Sequence, residues 1–196
     1  MMSSSNILQN ISRFVQLDKN ETEFLESVLI PRSFKQGEML IKAGDAARYS
    51  LFVNAGYIIT YYTDAEGTDH VIQFSGPAWW CGDFYSLSEQ PATIYSTKAL
   101  SDGEVLLLPR LAHQQLLQNY IKFERYFRII FQRGVMRHQL RFVESYSSSA
   151  YERYNSFITY YPEIEQYVPQ KFIASYLGIT PEFLSKVRKK VLQGKS

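Results

Sequence analysis

Apolar and polar positions fall into three textures along the chain. Over about Asn6–Ile30, Ile7, Leu8, Ile11, Phe14 and Val15 follow three-and-four spacing, and Phe24, Leu25, Val28 and Leu29 repeat it after Asp18-Lys19-Asn20. That period predicts helix, ended by Pro31, which cannot continue one. From about Phe34 to Leu108 the period shortens. β-rich runs at Met39–Ile41, Tyr49–Val53, Tyr57–Tyr62, His70–Phe74, Tyr95–Ala99 and Glu104–Leu108 are separated by glycine-marked turns such as Ala43-Gly44-Asp45, Asn54-Ala55-Gly56 and Ser101-Asp102-Gly103. Short strands at such close spacing predict an antiparallel sandwich, jelly roll or barrel. One longer gap, Gly76–Gln90, has room for a functional loop or a short helix.

From about Leu111 to Ser145 the helical period returns, with no proline and one glycine. Roughly 35 residues at about 1.5 Å each would make an element about 50 Å long. Leu116, Tyr120, Phe123, Phe127 and Ile130 alternate steps of four and three, the seam pattern of paired helices, and the stripe then drifts towards Val135, His138 and Phe142. Such a stripe packs on the β region or pairs with a second copy. Basic residues elsewhere on the helix (Lys122, Arg125, Arg128, Arg133, Arg137, Arg141) favour a helix that does both. Ser147-Ser148-Ser149 reads as a hinge, after which Tyr151, Tyr154, Phe157, Ile158 and Tyr161 recur helically until Pro162. The boundaries are therefore 1–110 for the N-terminal helices and β domain, 111–146 for the long helix, and 147–196 for a C-terminal domain.

Val168–Lys190 carries the most information: VPQKFIASYLGITPEFLSKVRKK. Ile173, Ala174 and Leu177 give a first helix its apolar face, and Gly178 sits where that helix must stop in a left-handed conformation. Ile179 would plug the turn. Thr180 is a good N-cap, Pro181 suits the first helical position, and Glu182 favours the positive end of the helix dipole. Leu184 and Val187 supply the inner face of a second helix. Counted from Gln170 as 1, Ala174, Gly178, Leu184 and Val187 fall at positions 5, 9, 15 and 18. That spacing resembles the DNA-binding helix-turn-helix.

Charge sharpens this reading. The whole chain carries 21 Lys+Arg against 19 Asp+Glu, which by itself argues against indiscriminate nucleic-acid coating. Residues 1–147 hold 14 basic and 15 acidic groups, whereas Val168–Ser196 holds six basic and one acidic. Lys186, Arg188, Lys189, Lys190 and Lys195 follow the motif directly. In a helix-turn-helix the second helix enters the major groove by its N-terminal residues. Pro181, Glu182, Ser185 and Lys186 then face base edges, where Glu182 can accept from cytosine N4 and Lys186 can donate to guanine O6 and N7. Gln170, Thr180, Arg188, Lys189 and Lys190 complete the candidate DNA-contact set, with Thr180 and the three basic residues placed for phosphates. Phe183 is left open between core and surface.

Other chemistry is excluded by composition. The single cysteine, Cys81, rules out a disulfide framework, a four-cysteine zinc site and a Cys-ligated iron–sulfur cluster. Three scattered histidines (His70, His113, His138) leave little for a His-built metal centre, and no cofactor or enzymatic activity is expected. The start of the chain lacks a basic segment followed by an apolar core, and no apolar run approaches the roughly 20 residues of a membrane span, so a cytoplasmic protein with no membrane partner is expected.

The α+β layout, with its β-rich half, long helix and C-terminal helix-turn-helix, resembles the cyclic-AMP receptor protein/FNR (Crp/Fnr) family of bacterial transcription regulators over nearly the full length. Phe34-Lys35-Gln36-Gly37-Glu38, Ala43-Gly44-Asp45 and Val53-Asn54-Ala55-Gly56 look like the opening strands of that family's cyclic-nucleotide-binding jelly roll, and the C-terminal segment looks most like the branch found in Bacteroidetes. Gly82-Asp83-Phe84 sits where the family's phosphate-binding cassette begins. The resemblance implies a homodimer on a pseudo-palindromic duplex DNA operator, with RNA polymerase as a candidate partner and an effector of unknown identity. It also implies Trp80, Gly82, Asp83, Phe84 and Thr93 as ligand-pocket candidates.

Two departures matter. The family's cyclic-nucleotide site uses Gly-Glu and then, about eleven residues on, Arg-Ser; here Asp83 replaces the Glu, Thr93-Ile94 stands in the later position, and no arginine lies between Gly56 and Arg110. A buried phosphate without its guanidinium loses its main charge partner, so cyclic AMP in the usual mode is not expected. Only Val191–Ser196 follow the second helix, too few for the β-hairpin wing found in many relatives. An alternative function is a ligand-binding signalling protein whose helix-turn-helix contacts protein.

Overall fold

A computed structural model describes residues 4–89 and 91–193 of the chain. Two short helices, α1 (Ser5–Ser12) and α2 (Lys19–Val28), open the fold. Asp18 caps α2 in a reciprocal box: its carboxylate accepts from Glu21 N at 3.0 Å, and Glu21 Oε2 accepts from Asp18 N at 2.8 Å. The helix ends at Val28, earlier than the expected proline stop. Pro31 lies instead in an edge strand, where its missing N–H is tolerated.

Eight strands follow: β1 (Ile30–Phe34), β2 (Met39–Ile41), β3 (Tyr49–Ala55), β4 (Ile58–Thr63), β5 (Asp69–Ser75), β6 (Trp80–Cys81), β7 (Tyr95–Ala99) and β8 (Gly103–Pro109), with α3 (Phe84–Glu89) in the long gap. They form two antiparallel four-stranded sheets, ordered β1-β8-β3-β6 and β2-β7-β4-β5. Phe34, Leu51, Val53, Ile58, Val105 and Leu107 fill the space between the sheets. The alternate residues Phe52, Leu106 and Leu108 face outward into a second core with α1, α4 and α5, so β8 is apolar on both faces and its Val105–Leu108 run is explained.

The long helical stretch is two helices, α4 (Arg110–Asn119) and α5 (Ile121–Ser147), with Tyr120 extended between them (φ −134°, ψ 102°). Neither glycine nor proline marks the break. Tertiary packing makes it: the Tyr120 ring sits against Phe24 at 5.3 Å and Phe123 at 6.0 Å. Leu116, Phe123 and Phe127 are buried in the core against the first sheet. That part of the expected seam is intramolecular. Apart from Ile121 at its start, the large apolar residues α5 leaves exposed lie further on, at Val135, Met136, Leu140, Phe142, Val143 and Tyr146.

Ser148 ends α5 in an extended conformation, and Ser149 caps α6 (Ala150–Tyr160) through a second reciprocal box with Glu152. Arg153 Nη1 donates to Ser148 O at 2.7 Å across this junction. A short 3₁₀ turn at Ile164–Gln166 leads to α7 (Gln170–Leu177) and α8 (Pro181–Gln193). Residues 194–196, including Lys195 and half of the segment expected to be too short for a wing, lie outside the described residues.

The three C-terminal helices do not form a separate core. Tyr154, Phe157, Tyr161, Ile173, Tyr176 and Leu177 pack with Ile59, Tyr61, Val71 and Phe74 on the outer face of the second sheet. Ser175 fixes the contact to the β5 edge, its hydroxyl accepting from Val71 N at 3.0 Å and donating to Asp69 O at 2.7 Å.

Candidate nucleic-acid interface

The helix-turn-helix forms where its residues predict it. Gly178 ends α7 in the left-handed region (φ 65°, ψ 39°), which a side chain would strain, and its N–H bonds back to Ser175 O. Ile179 N donates to Ala174 O at 3.0 Å, closing the turn. Thr180 Oγ1 accepts from Phe183 N at 3.2 Å, and Leu184 N reaches Thr180 O at 2.9 Å, so the N-cap role holds. Leu184 and Val187 are fully buried against α6 and α7, which fixes the opposite face of α8 towards solvent.

That outward face carries Thr180, Pro181, Glu182, Ser185, Lys186, Lys189 and Lys190, all exposed. Ser185 Oγ lies 3.5 Å from Gln170 Oε1, so the start of α7 and the first turns of α8 present one continuous surface. Lys186 and Lys189 form no ion pair among the described residues. Lys190 Nζ sits 4.5 Å from the centre of the Tyr151 ring.

Arg188 differs from the other candidates. Its Nε is 3.1 Å from Glu165 Oε1, the same oxygen that accepts from Tyr154 OH at 2.6 Å. Burial and the neighbouring Glu165 push the Tyr154 phenol up to about 12. Arg188 is thus tied into the C-terminal core, a partner that spacing along the sequence does not show. Lys171, exposed on the first turn of α7 over Phe172 at 4.8 Å, adds a basic residue the candidate set lacked. Phe183 is 40% exposed beside the base-facing positions, outside the core.

The ligand-pocket candidates come together, but they satisfy one another. Asp83 Oδ1 accepts from Ser86 N at 3.0 Å and Oδ2 from Thr93 Oγ1 at 2.8 Å, and both Asp83 and Thr93 are buried. Thr93 also exchanges backbone bonds with Gly44 and Asp45, and Ser86 Oγ bonds Pro91 O. Gly82 (φ 144°) adopts backbone that side chains rarely take, as the chain turns from β6 into α3.

Trp80 and Phe84 do not line an open site. The Trp80 ring packs on Phe52 and Phe127, both at 5.3 Å, and its indole N–H donates to Tyr126 OH at 2.8 Å. Tyr126 in turn donates to Asn10 at 2.7 Å, and desolvation pushes its phenol up strongly. Phe84 meets Phe131 of α5 at 4.8 Å. The physical reason is volume: aromatic side chains from α5 occupy the space beside the cassette.

Cys81 is buried and its thiol is pushed up to about 12 by desolvation, a poor basis for thiol chemistry. His70 bonds Asp64 at 2.6 Å on an exposed turn. Among the described residues no three His, Cys, Asp or Glu side chains gather as a metal site, and no helix is long and apolar enough to cross a membrane.

Residues 31–120 match the cyclic nucleotide-binding domain family, ending at the Tyr120 break. FixK2 from Bradyrhizobium japonicum superposes with a TM-score of 0.74 at 17% identity, covering 86% of each chain. A Eubacterium rectale protein described as a Crp/Fnr-family transcriptional regulator gives 0.68 at 18% identity, over 91% of this chain and 85% of that one. The chain has the Crp/Fnr fold. The Catabolite Activator Protein of Thermus thermophilus shares this fold at a TM-score of 0.57 and 19% identity, over 91% and 85% of the two chains. No curated protein sequence matches the chain. Asp83 and Thr93 lie within the matched residues 31–120, and α8 lies beyond them.

Proposed function

We propose that the chain is a sequence-specific, DNA-binding transcription regulator acting as a homodimer on a pseudo-palindromic operator. One observation carries the reading: α8 buries Leu184 and Val187 and turns Pro181, Glu182, Ser185 and Lys186 outward together, on the segment that holds the chain's basic surplus. These four would face base edges, with Gln170, Thr180, Lys189 and Lys190 on phosphates and Lys171 added to them. Arg188 contributes less, being held by Glu165.

The second copy would pair along Met136, Leu140 and Val143, which lie three and four residues apart on the exposed side of α5. The β domain does not take cyclic AMP in the family's usual mode, because Asp83 and Thr93 occupy each other and the sequence holds no arginine between Gly56 and Arg110. RNA polymerase is the candidate protein partner.

Selection from a random duplex library tests the proposal. A recovered palindrome, bound with an affinity that falls steeply with salt, supports it. Absence of any enriched sequence would favour the protein-contact alternative.

A further inference from the structure

The last turns of α5 face the C-terminal end of α7 across an open cleft of about 320 Å³, apart from both the α8 face and the cassette. Three guanidinium groups line it: Arg137 and Arg141, one turn apart on α5, and Arg153 on α6. Arg141 donates to Ile72 O at 2.6 Å, Val71 O at 2.9 Å and Tyr176 O at 3.0 Å. Arg153 donates to Leu177 O at 3.1 Å and Ser148 O at 2.7 Å. These are neutral acceptors. The single carboxylate in the lining, Glu144, lies 3.9 Å from Arg137 Nη1.

The charges do not cancel. Three cations face one carboxylate, and the carbonyl end of α7 contributes roughly half a negative charge. An excess of more than one positive charge remains along a partly exposed wall. Arg137 is held at the wall of the cleft: its side chain is 17% exposed, its plane lies over Tyr160 at 4.0 Å, and its one carboxylate neighbour among the described residues is Glu144 at 3.9 Å. His138, at the same cleft, is held below the usual imidazole range by burial and by Arg141 and Arg137, which agrees with a positive local potential.

We propose that this cleft binds a small molecule through a phosphate group, with Arg137 as its principal donor. A guanidinium is planar and matches phosphate oxygens in pairs, and Phe142, Tyr176 and Leu177 beside it suit an apolar portion of the same ligand. The occupant would touch the long helix and the first helix of the helix-turn-helix at once. The proposal does not rest on the DNA-binding reading, since its test contains no DNA.

Calorimetric titration of the full chain with inorganic pyrophosphate at low ionic strength provides that test. One saturable site per chain is expected, weakened about tenfold or more by Arg137→Gln, as for loss of a charge-assisted hydrogen bond. A Lys186→Ala/Lys189→Ala double variant is expected to bind like the wild type. No saturation by about 10 mM, a concentration well above weak millimolar affinity, would overturn the proposal. So would unchanged binding in Arg137→Gln, or loss of binding in the double lysine variant. Should Arg137→Gln fail to fold, Arg137→Lys keeps the charge without the planar pair of donors; folded Arg137→Lys that binds as tightly as the wild type would equally overturn it.

Discussion

Thr93 Oγ1 donates to Asp83 Oδ2 at 2.8 Å, and the two buried side chains close the cassette on itself. A phosphate arriving there would have to displace this bond and would meet the Asp83 carboxylate, with threonine at the position where the resemblance would put an arginine. Thr93→Val removes the donor while keeping the shape, leaving one oxygen of a buried carboxylate unmet. Loss of about 1–3 kcal/mol of folding stability is expected by urea titration. Adding cyclic AMP is expected to leave the melting temperature of the wild-type chain unchanged; a saturable upward shift would refute the closed-cassette reading.

Arg188 and Glu165 set up a second test. Because Glu165 already holds the Arg188 guanidinium, Arg188→Ala is expected to weaken operator binding less than Lys189→Ala, since Lys189 has no ion-pair partner among the described residues to give up. Removing one cation from a DNA phosphate should make the plot of log affinity against log salt shallower by about 1. Glu165→Gln releases Arg188 and is expected to steepen that slope. Lys186→Ala behaves differently if it reads a base: a cost of about 1–3 kcal/mol, with relaxed preference at one operator position. Fluorescence anisotropy at several salt concentrations separates these outcomes.

The two apolar faces of α5 make opposite predictions. Phe127 is buried against Trp80 and Tyr126, so Phe127→Ala is expected to cost about 3–5 kcal/mol of stability in any oligomeric state. Leu140 is 58% exposed, and Leu140→Glu places a charge on the proposed seam without disturbing the core. Sedimentation is expected to show a monomer for Leu140→Glu, with its circular dichroism unchanged. A dimer that survives Leu140→Glu would place the pairing surface elsewhere.

Local signals are legible in proportion to how local their causes are. Six of the eight strands follow from alternation and glycine turns, and the helix-turn-helix from Gly178, Thr180, Leu184 and Val187, whose roles are set within a few residues. The two strands that the pattern does not announce are β1, which contains a proline, and the two-residue β6; both are held by partners distant in sequence. The same limit applies to α5. A four-and-three stripe reports that one face is covered, and Phe123 and Phe127 are covered by the chain's own β domain, not by a second copy. Arg188 reads as a phosphate contact because its partner, Glu165, is 23 residues earlier and reaches it only through the turn that packs α8 on α6.

His113 supplies the last prediction. On α4, its ring lies 4.3 Å from Phe127 and 6.4 Å from Phe131, and its buried Nε2 has no hydrogen-bond partner among the described residues. Desolvation in this aromatic setting lowers its pKa from 6.5 to about 4. The unfolded chain therefore takes up a proton near pH 6.5, while the folded chain resists until near pH 4. Since the unfolded state binds more protons across that interval, stability falls as pH drops from about 6.5 to 4, by at most about 3 kcal/mol for this group. His138 is lowered as well and titrates in the same direction, so the informative quantity is a difference between variants. His113→Leu keeps an apolar side chain beside Phe127 and Phe131 and removes the titration. Urea-unfolding free energies at pH 7.0 and 4.5 should converge for His113→Leu relative to the wild type. Parallel losses in the two proteins would mean that His113 finds a proton-accepting partner when charged.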